Sequence, residues 1–335
     1  MVFITWVDYS SIFGWMSRVA GPCWRITRYW GLPREIRKSL VFFISGDLSK
    51  PSSIQSLNIF NEQNNVFVDN SEDFIPSFTA DRLFLNVSEE YQYCAFVYRP
   101  NKDIKKNAKL PAILNIHGGP NGSVSRLFSS TAEFWTALGY VYLEIDHVGS
   151  TGYGKVFRER LNSKWGLAEC ENIHHFISHL KDTGLLTLCQ VFVRGSSAGG
   201  YTAMRLLSES RLFSAGCSYY GVSDLKALLE TTHPFESPLL HNLINKDVSD
   251  LAYIDRSPLY NPDCIREPLL LIHGKQDQVV PIDQSRQLYQ KLSSLGRTCY
   301  LFEFDEQHGF TSLDNRALSY AIEHQFYEKS IHETA

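Results

Sequence analysis

Residues 194–200 read R-G-S-S-A-G-G, directly after the apolar run QVFV. The spacing G-x-S-x-G fits Gly195, Ser197 and Gly199; Ser196 would need glycines where Arg194 and Ala198 stand. A serine at the centre of that pattern sits on a sharp strand-to-helix turn, with its hydroxyl clear of the sheet and able to attack a carbonyl carbon. Flanking glycines leave no Cβ to block the turn, and the following helix points its N–H groups and dipole at the same spot. Two rival readings are weaker. A phosphate-binding loop needs a lysine after its last glycine, and none follows; a dinucleotide fingerprint opens the first strand–helix unit, and this stretch comes late.

A serine alcohol needs a base to take its proton, and the base needs a carboxylate to orient it. In this setting acid and base follow the serine in chain order. Asp277 stands in the loop after PLLLIHG, and His308 in the loop after LFEF, so Ser197, Asp277 and His308 are expected at one sheet edge. His273 precedes the acid at a strand tip and reads as a packing or loop-fixing residue. Asp305 shares the histidine's own loop, and Asp283 is placed to cap the helix that follows Pro281. His174, His175, His233 and His241 lack partner spacing and read as surface or packing residues. An oxyanion needs backbone donors. The first expected donor is the N–H of Ala198. The second is the N–H of Gly119 in I-H-G-G-P, because Pro120 has none to give and His117 is placed to hold that loop. The strand end S-Y-Y-G brings Tyr219 and Tyr220 near, either as lining of an apolar pocket or as ordinary core tyrosines.

These residues need a scaffold that gathers strand ends. From PAILNIHGG onward, near-continuous apolar strands (YVYLEID, CQVFVRG, SAGCSYYG, PLLLIHG, CYLFEF) alternate with helical stretches at 127–138, 168–182, after Ser197, after Pro281 and at 314–328. That alternation predicts an α/β fold with a mostly parallel, doubly wound sheet covered on both faces. Ahead of it, LVFFIS, SIQSLNIF and NNVFV are short strands separated by turn residues, and RLFLNV and YQYCAFVYRP follow.

Composition sets the outer limits. The chain has 335 residues, 44% hydrophobic, enough for a large core, and a net charge of -4 that argues against nucleic acid or an anionic membrane as partner. Seven scattered cysteines without a CxxC pair argue against a disulfide framework or zinc site and fit a cytoplasmic location. Residues 1–20 are apolar but interrupted by Asp8, and fall short of the run of about 20 that spans a bilayer. Four of the six tryptophans lie in the first 30 residues, an aromatic density expected to be covered by the chain itself, a second copy or a partner.

The motifs IHGGPNG, DHVGSTGYGKVFRERLNSKWG, RGSSAGGYTAM, SYYGVSDLKAL, THPFES, HGKQDQVVP and EQHGF occur in the order seen in the prolyl oligopeptidase family of serine peptidases, and the chain resembles its acylaminoacyl-peptidase and dipeptidyl-peptidase-like branch over roughly residues 80–330. The resemblance implies an α/β-hydrolase fold, triad roles for Ser197, Asp277 and His308, an oxyanion hole at Gly119 and Ala198, no cofactor or metal, and peptide or acyl-amino-acid substrates. Two positions depart from the family pattern: Val148 replaces an arginine, and Asn172 an acidic residue, both with the expected effect of loosening loop support. The family carries a β-propeller ahead of the hydrolase, and LVFFISGDLSKPSSIQSLNIFN resembles its closing strands. The expected organisation is an aromatic leader (1–36), a β-strand remnant (37–75) and the catalytic domain (76–335), as a short form, a remnant or a fragment. A carboxylesterase using the same triad, and an idle binding or assembly subunit, are the alternatives.

Overall fold

Strands with polar and exposed positions build one sheet, and strands apolar on both faces build another. The computed structural model describes residues 40–58, 63–69, 74–88, 91–101, 109–183, 188–232, 237–245, 247 and 251–333. The aromatic leader of residues 1–36 and His233 lie outside the described residues.

Strands β1 (Leu40–Ser45), β2 (Ser53–Asn58) and β3 (Asn64–Val68) form a three-stranded antiparallel meander. The first turn is set by Asp47, whose carboxylate accepts from the N–H groups of Ser49 (2.7 Å) and Lys50 (3.0 Å). These strands belong to a small compact unit that also includes Ser125–Ala137. Within that unit, Ser77 N–H donates to Glu133 at 2.9 Å.

The larger unit is built on an eight-stranded sheet. Its strands are β4 (Phe78–Ser88), β5 (Tyr91–Pro100), β6 (Leu110–Ile116), β7 (Val141–Ile145), β8 (Leu188–Ser196), β9 (Ala215–Tyr219), β10 (Leu269–Gly274) and β11 (Cys299–Phe304), in the order β11-β10-β9-β8-β6-β7-β5-β4. From β7 to β11 the neighbours run parallel, and β5 runs antiparallel to β7. Helix α1 (Ser130–Ala137) belongs to the small unit; the larger unit's helices are α2 (Lys155–Glu159), α3 (Ala168–Asp182), α4 (Ala198–Glu209), α5 (Leu225–Thr231), α6 (Ser237–Leu243), α7 (Ala252–Asp255), α8 (Asp283–Ser294) and α9 (Leu313–Glu333). This is the α/β-hydrolase fold.

Alternation along β8 shows how the sheet is covered. Val191 and Val193 join Ile173, Phe176, Leu206 and Leu288 in the core on one face. Phe192 stacks on Tyr327 of α9 on the other, with ring centroids 4.5 Å apart. Burying each such side chain contributes about 1.5–3 kcal/mol. From β6 the chain moves outward to β7, then returns to place β8 on the other side of β6. That reversal is a topological switch point, where the carboxyl ends of β6 and β8 open a crevice. Ile116 and Gly195 are register partners there, so the loops that follow them meet.

Candidate active site

The turn after β8 is strained in the way its glycines predict. Ser197 has φ 57 and ψ -122, a conformation that costs a side-chain-bearing residue about 1–3 kcal/mol. Its N–H donates to the Tyr219 carbonyl at 2.9 Å, and its carbonyl accepts from Tyr201 N–H at 3.0 Å. A Cβ on Gly195 would collide with the Gly199 backbone, and one on Gly199 with the Ile116 carbonyl. The turn therefore closes only with glycine at both positions. Gly118 crosses directly beside it: a Cβ there would stand 3.6 Å from Ser197 Cβ.

Three loops converge on this point. His308 Nε2 lies 3.0 Å from Ser197 Oγ, and its Nδ1 lies 2.7 Å from Asp277 Oδ2. Asp277 Oδ1 accepts from the N–H groups of Val279 and Val280, both at 2.9 Å. Burial alone would raise the Asp277 carboxyl, but hydrogen bonds from His273, His308 and Val280 N–H outweigh it and hold the group well below the ordinary carboxylate range. The acid is thus a fixed negative charge behind the imidazole. Ser197 and His308 are part-buried, open enough for a substrate to reach them.

The rival residues fall where their surroundings explain them. His273 is fully buried, with Nδ1 2.7 Å from Ser285 Oγ and Nε2 2.9 Å from the Val280 carbonyl, so it fastens the loop that carries Asp277. Asp305 is exposed and pairs with Lys275 at 3.1 Å. Asp283 is the first residue of α8 rather than its cap, and it lies 3.6 Å from Arg286.

Ala198 is the first residue of α4, so its N–H has no intrahelical partner. Gly119 is exposed on the loop after β6 with φ 122, a left-handed conformation that favours glycine. That loop is held from behind. His117 Nε2 lies 2.7 Å from Ser150 Oγ, Asn121 donates to the Gly149 carbonyl at 2.7 Å, and the His117 and His147 rings stack 4.2 Å apart. Burial pushes both imidazoles below their ordinary value. The two positions that depart from the family pattern touch each other. Val148 is buried, and its N–H donates to Asn172 Oδ1 at 2.9 Å, so an amide-to-backbone bond holds the loop.

The two tyrosines part company. Tyr220, with φ 39, sets its ring edge-on against His308 at 4.7 Å. Tyr219 is a core residue whose hydroxyl donates to Glu323 at 2.8 Å, so it does not line a pocket. Sequence reasoning missed Glu306, which sits two residues before His308. Its carboxylate accepts from Asn315 Nδ2 (2.9 Å), Ser312 N–H (3.0 Å) and Thr311 N–H (3.2 Å), tying the histidine loop to the start of α9. These bonds, Asn315 first, hold its carboxyl below the ordinary range. Glu323 was also missed, although its place among Tyr320, Tyr327 and Ser330 on one helical stripe was a readable signal of a buried acid. Among the described residues, no group of three or more His, Cys, Asp or Glu side chains is arranged to hold a metal ion, and no helix is long and apolar enough to cross a membrane.

Residues 126–334 match the prolyl oligopeptidase family. The chain is 29% identical over 234 residues to a dipeptidyl aminopeptidase BIII of Pseudoxanthomonas mexicana, covering 68% of this chain and 34% of that protein. It is 24% identical over 220 residues to an acylamino-acid-releasing enzyme of Oryza sativa, covering 60% of this chain and 28% of the relative. A solved puromycin-hydrolyzing peptidase of Mycobacterium tuberculosis superimposes with a TM-score of 0.80 at 30% identity, over 87% of this chain and 46% of that one. The chain thus spans about a third of the length of the curated relatives it matches.

Proposed function

The chain belongs to the prolyl oligopeptidase family, and from that premise we propose that it is a serine peptidase acting on peptides or acylated amino acids through an acyl-enzyme. The observation that carries this reading is the unbroken hydrogen-bonded line from Ser197 Oγ through the His308 ring to Asp277, at 3.0 and 2.7 Å. In this reading His308 takes the Ser197 proton as the oxygen attacks the substrate carbonyl, and Asp277 holds the ring in its working tautomer and offsets its positive charge. The N–H groups of Gly119 and Ala198 receive the oxyanion, each worth about 3 kcal/mol in the transition state. His308 then protonates the leaving amine, and water it deprotonates releases the acyl group. The names of the two curated relatives support amide substrates with a free or blocked N-terminus. Tyr220, packed on His308, is the side chain placed to meet a substrate near the base.

A fluorophosphonate probe tests the reading directly. It labels folded wild-type protein at Ser197, and Ser197→Ala abolishes labelling and turnover while the thermal midpoint stays near wild type, because the hydroxyl is part-buried and its one side-chain partner is the His308 ring. Labelling that survives in Ser197→Ala refutes it. Matched ester and anilide substrates separate a peptidase from a carboxylesterase: a peptidase cleaves both, an esterase the ester alone. We also place the protein in the cytoplasm, which the free state of the described cysteines Cys94, Cys170, Cys217, Cys264 and Cys299 supports. Fractionation of cells checks that location, and gel filtration checks whether a second copy covers the N-terminal aromatic segment.

A further inference from the structure

Below the catalytic rim, the sheet buries an ion pair that the chemistry does not use. Glu323 of α9 is fully buried, and Arg194 of β8 is 5% exposed. Arg194 Nε donates to Glu323 Oε1 at 2.8 Å; Tyr219 OH donates to Oε2 at 2.8 Å, and Tyr327 OH to Oε1 at 2.9 Å. The guanidinium carbon sits 5.0 Å from the Tyr219 ring centroid and 5.2 Å from that of Tyr320. Stability does not explain such a pair. Two charges taken out of water lose much of their attraction to desolvation, and well-packed apolar residues in their place are often as stable.

What the pair connects is more telling. Arg194 stands three residues before Ser197, on the strand that runs into the nucleophile's turn. Tyr219 ends β9, and its carbonyl accepts the Ser197 N–H at 2.9 Å. Glu323 lies on the helix that begins directly after the His308 loop, where Glu306 fastens that loop to Asn315. One carboxylate therefore grips the nucleophile's strand, the strand that anchors the nucleophile's amide, and the helix that anchors the base. We infer that Glu323 is a positioning residue which, through Arg194 and Tyr219, sets the separation of Ser197 and His308. This inference rests on the reading of Ser197 as nucleophile and His308 as base, and adds a residue outside the triad that governs its geometry.

Two hydroxyl deletions on the same carboxylate make the test. Tyr219→Phe and Tyr327→Phe each remove one hydrogen bond to Glu323, but only Tyr219 belongs to the strand that holds Ser197, whereas Tyr327 is one turn along α9. The two variants are expected to lose similar amounts of thermal midpoint. Tyr219→Phe slows p-nitrophenyl acetate hydrolysis and fluorophosphonate labelling roughly tenfold through kcat with KM unchanged, since small misplacements of reacting groups are costly. Tyr327→Phe stays within about twofold of wild type by the same reasoning. The double variant Arg194→Met/Glu323→Leu removes both charges; it is expected to lower the midpoint, because the Tyr219 and Tyr327 hydroxyls lose their acceptor, and to show the depressed kcat. Equal turnover in the two tyrosine variants, or full recovery of kcat in the double variant, overturns the inference alone. Wild-type protein that resists the fluorophosphonate overturns the nucleophile reading, and this inference with it.

Discussion

Two carboxylates, one buried just beyond the carboxyl end of a strand and one half-buried within a strand, meet opposite fates. Asp277, at the carboxyl end of β10, accepts from two backbone N–H groups and faces two imidazoles, and these bonds outweigh its burial, so it stays ionised. Glu144, in the middle of β7, has neutral donors: Asn115 Nδ2 at 3.0 Å and the Tyr98 hydroxyl at 3.3 Å. Burial dominates there, and the carboxyl is pushed up from 4.5 to about 7. Donor number and kind, rather than depth alone, decide which acid carries charge at neutral pH. The loop after a strand offers free N–H groups that can converge on an acid; the middle of a sheet has spent its N–H groups on the ladder. This is a physical reason for placing an acid that must stay ionised at the strand end.

The largest expected effect comes from removing the ionised acid. Asp277→Asn keeps the shape and the acceptor oxygen but loses the charge, and it permits the wrong His308 tautomer. Turnover is expected to fall roughly 10³–10⁴-fold with KM little changed, read by initial rates. The same group sets an acid limit on stability. Its folded pKa lies below the ordinary 3.8, so its contribution is present above that value and is lost as pH falls through the folded pKa. Urea midpoints for wild type and Asp277→Asn should therefore converge at the lowest pH at which both remain folded.

Glu144→Gln tests the other half of the contrast, with the opposite sign. A folded pKa raised from 4.5 to about 7 favours the protonated native state, so that contribution is complete below 4.5 and is lost as pH rises through 7. Glutamine keeps the neutral shape without a proton to lose. Relative to wild type, the variant should gain on the order of 1–2 kcal/mol at pH 8 and close to nothing at pH 5, the smaller end of the shift being used because Glu144 is partly solvent-exposed. A variant equally shifted at both pH values would show that Glu144 is ionised throughout.

The convergence of the rim residues was the legible part of the molecule, and their roles are those proposed above. Ser197, Asp277 and His308 each follow a strand whose apolar run announces its end, and chain order then fixes their roles; Gly119 and Ala198 follow from the same logic. Helix α3 spans 168–182, as its periodicity predicts. The stretch between β9 and β10 was not legible, because α5, α6 and α7 are too short to show a full apolar stripe. Strand order was hidden as well: pairing β6 with both β7 and β8 depends on packing among distant segments. The separation of Tyr219 from Tyr220 could not be read, since a positive φ at Tyr220 breaks the alternation that adjacent strand residues would follow. Glu306 gave no signal because the groups it binds, on Thr311, Ser312 and Asn315, follow it across a loop and into a helix without a repeating pattern.

The last test concerns Asn172, which lies between the two extremes. Like Asp277 it accepts a backbone N–H, that of Val148 at 2.9 Å, and position 148 offers it no cation. Asn172→Asp keeps the acceptor and adds a buried charge with one backbone donor, far fewer than Asp277 has. The introduced carboxyl should therefore behave as that of Glu144 does, with a folded pKa above the ordinary aspartate value, and the variant should lose stability as pH rises through that pKa, by about 1–2 kcal/mol. Because Val148 opens the loop whose Ser150 and Gly149 brace His117 and Asn121, part of the loss should reach Gly119, the proposed oxyanion donor, as a fall in kcat of about two- to fivefold. Restoring a cation with Val148→Arg in the same chain supplies the missing donor; it should lower the pKa of the carboxyl introduced at position 172 and recover both stability and rate. A double variant no better than Asn172→Asp alone would show that donor supply does not govern this position, and would confine the rule drawn from Asp277 and Glu144 to the sheet itself.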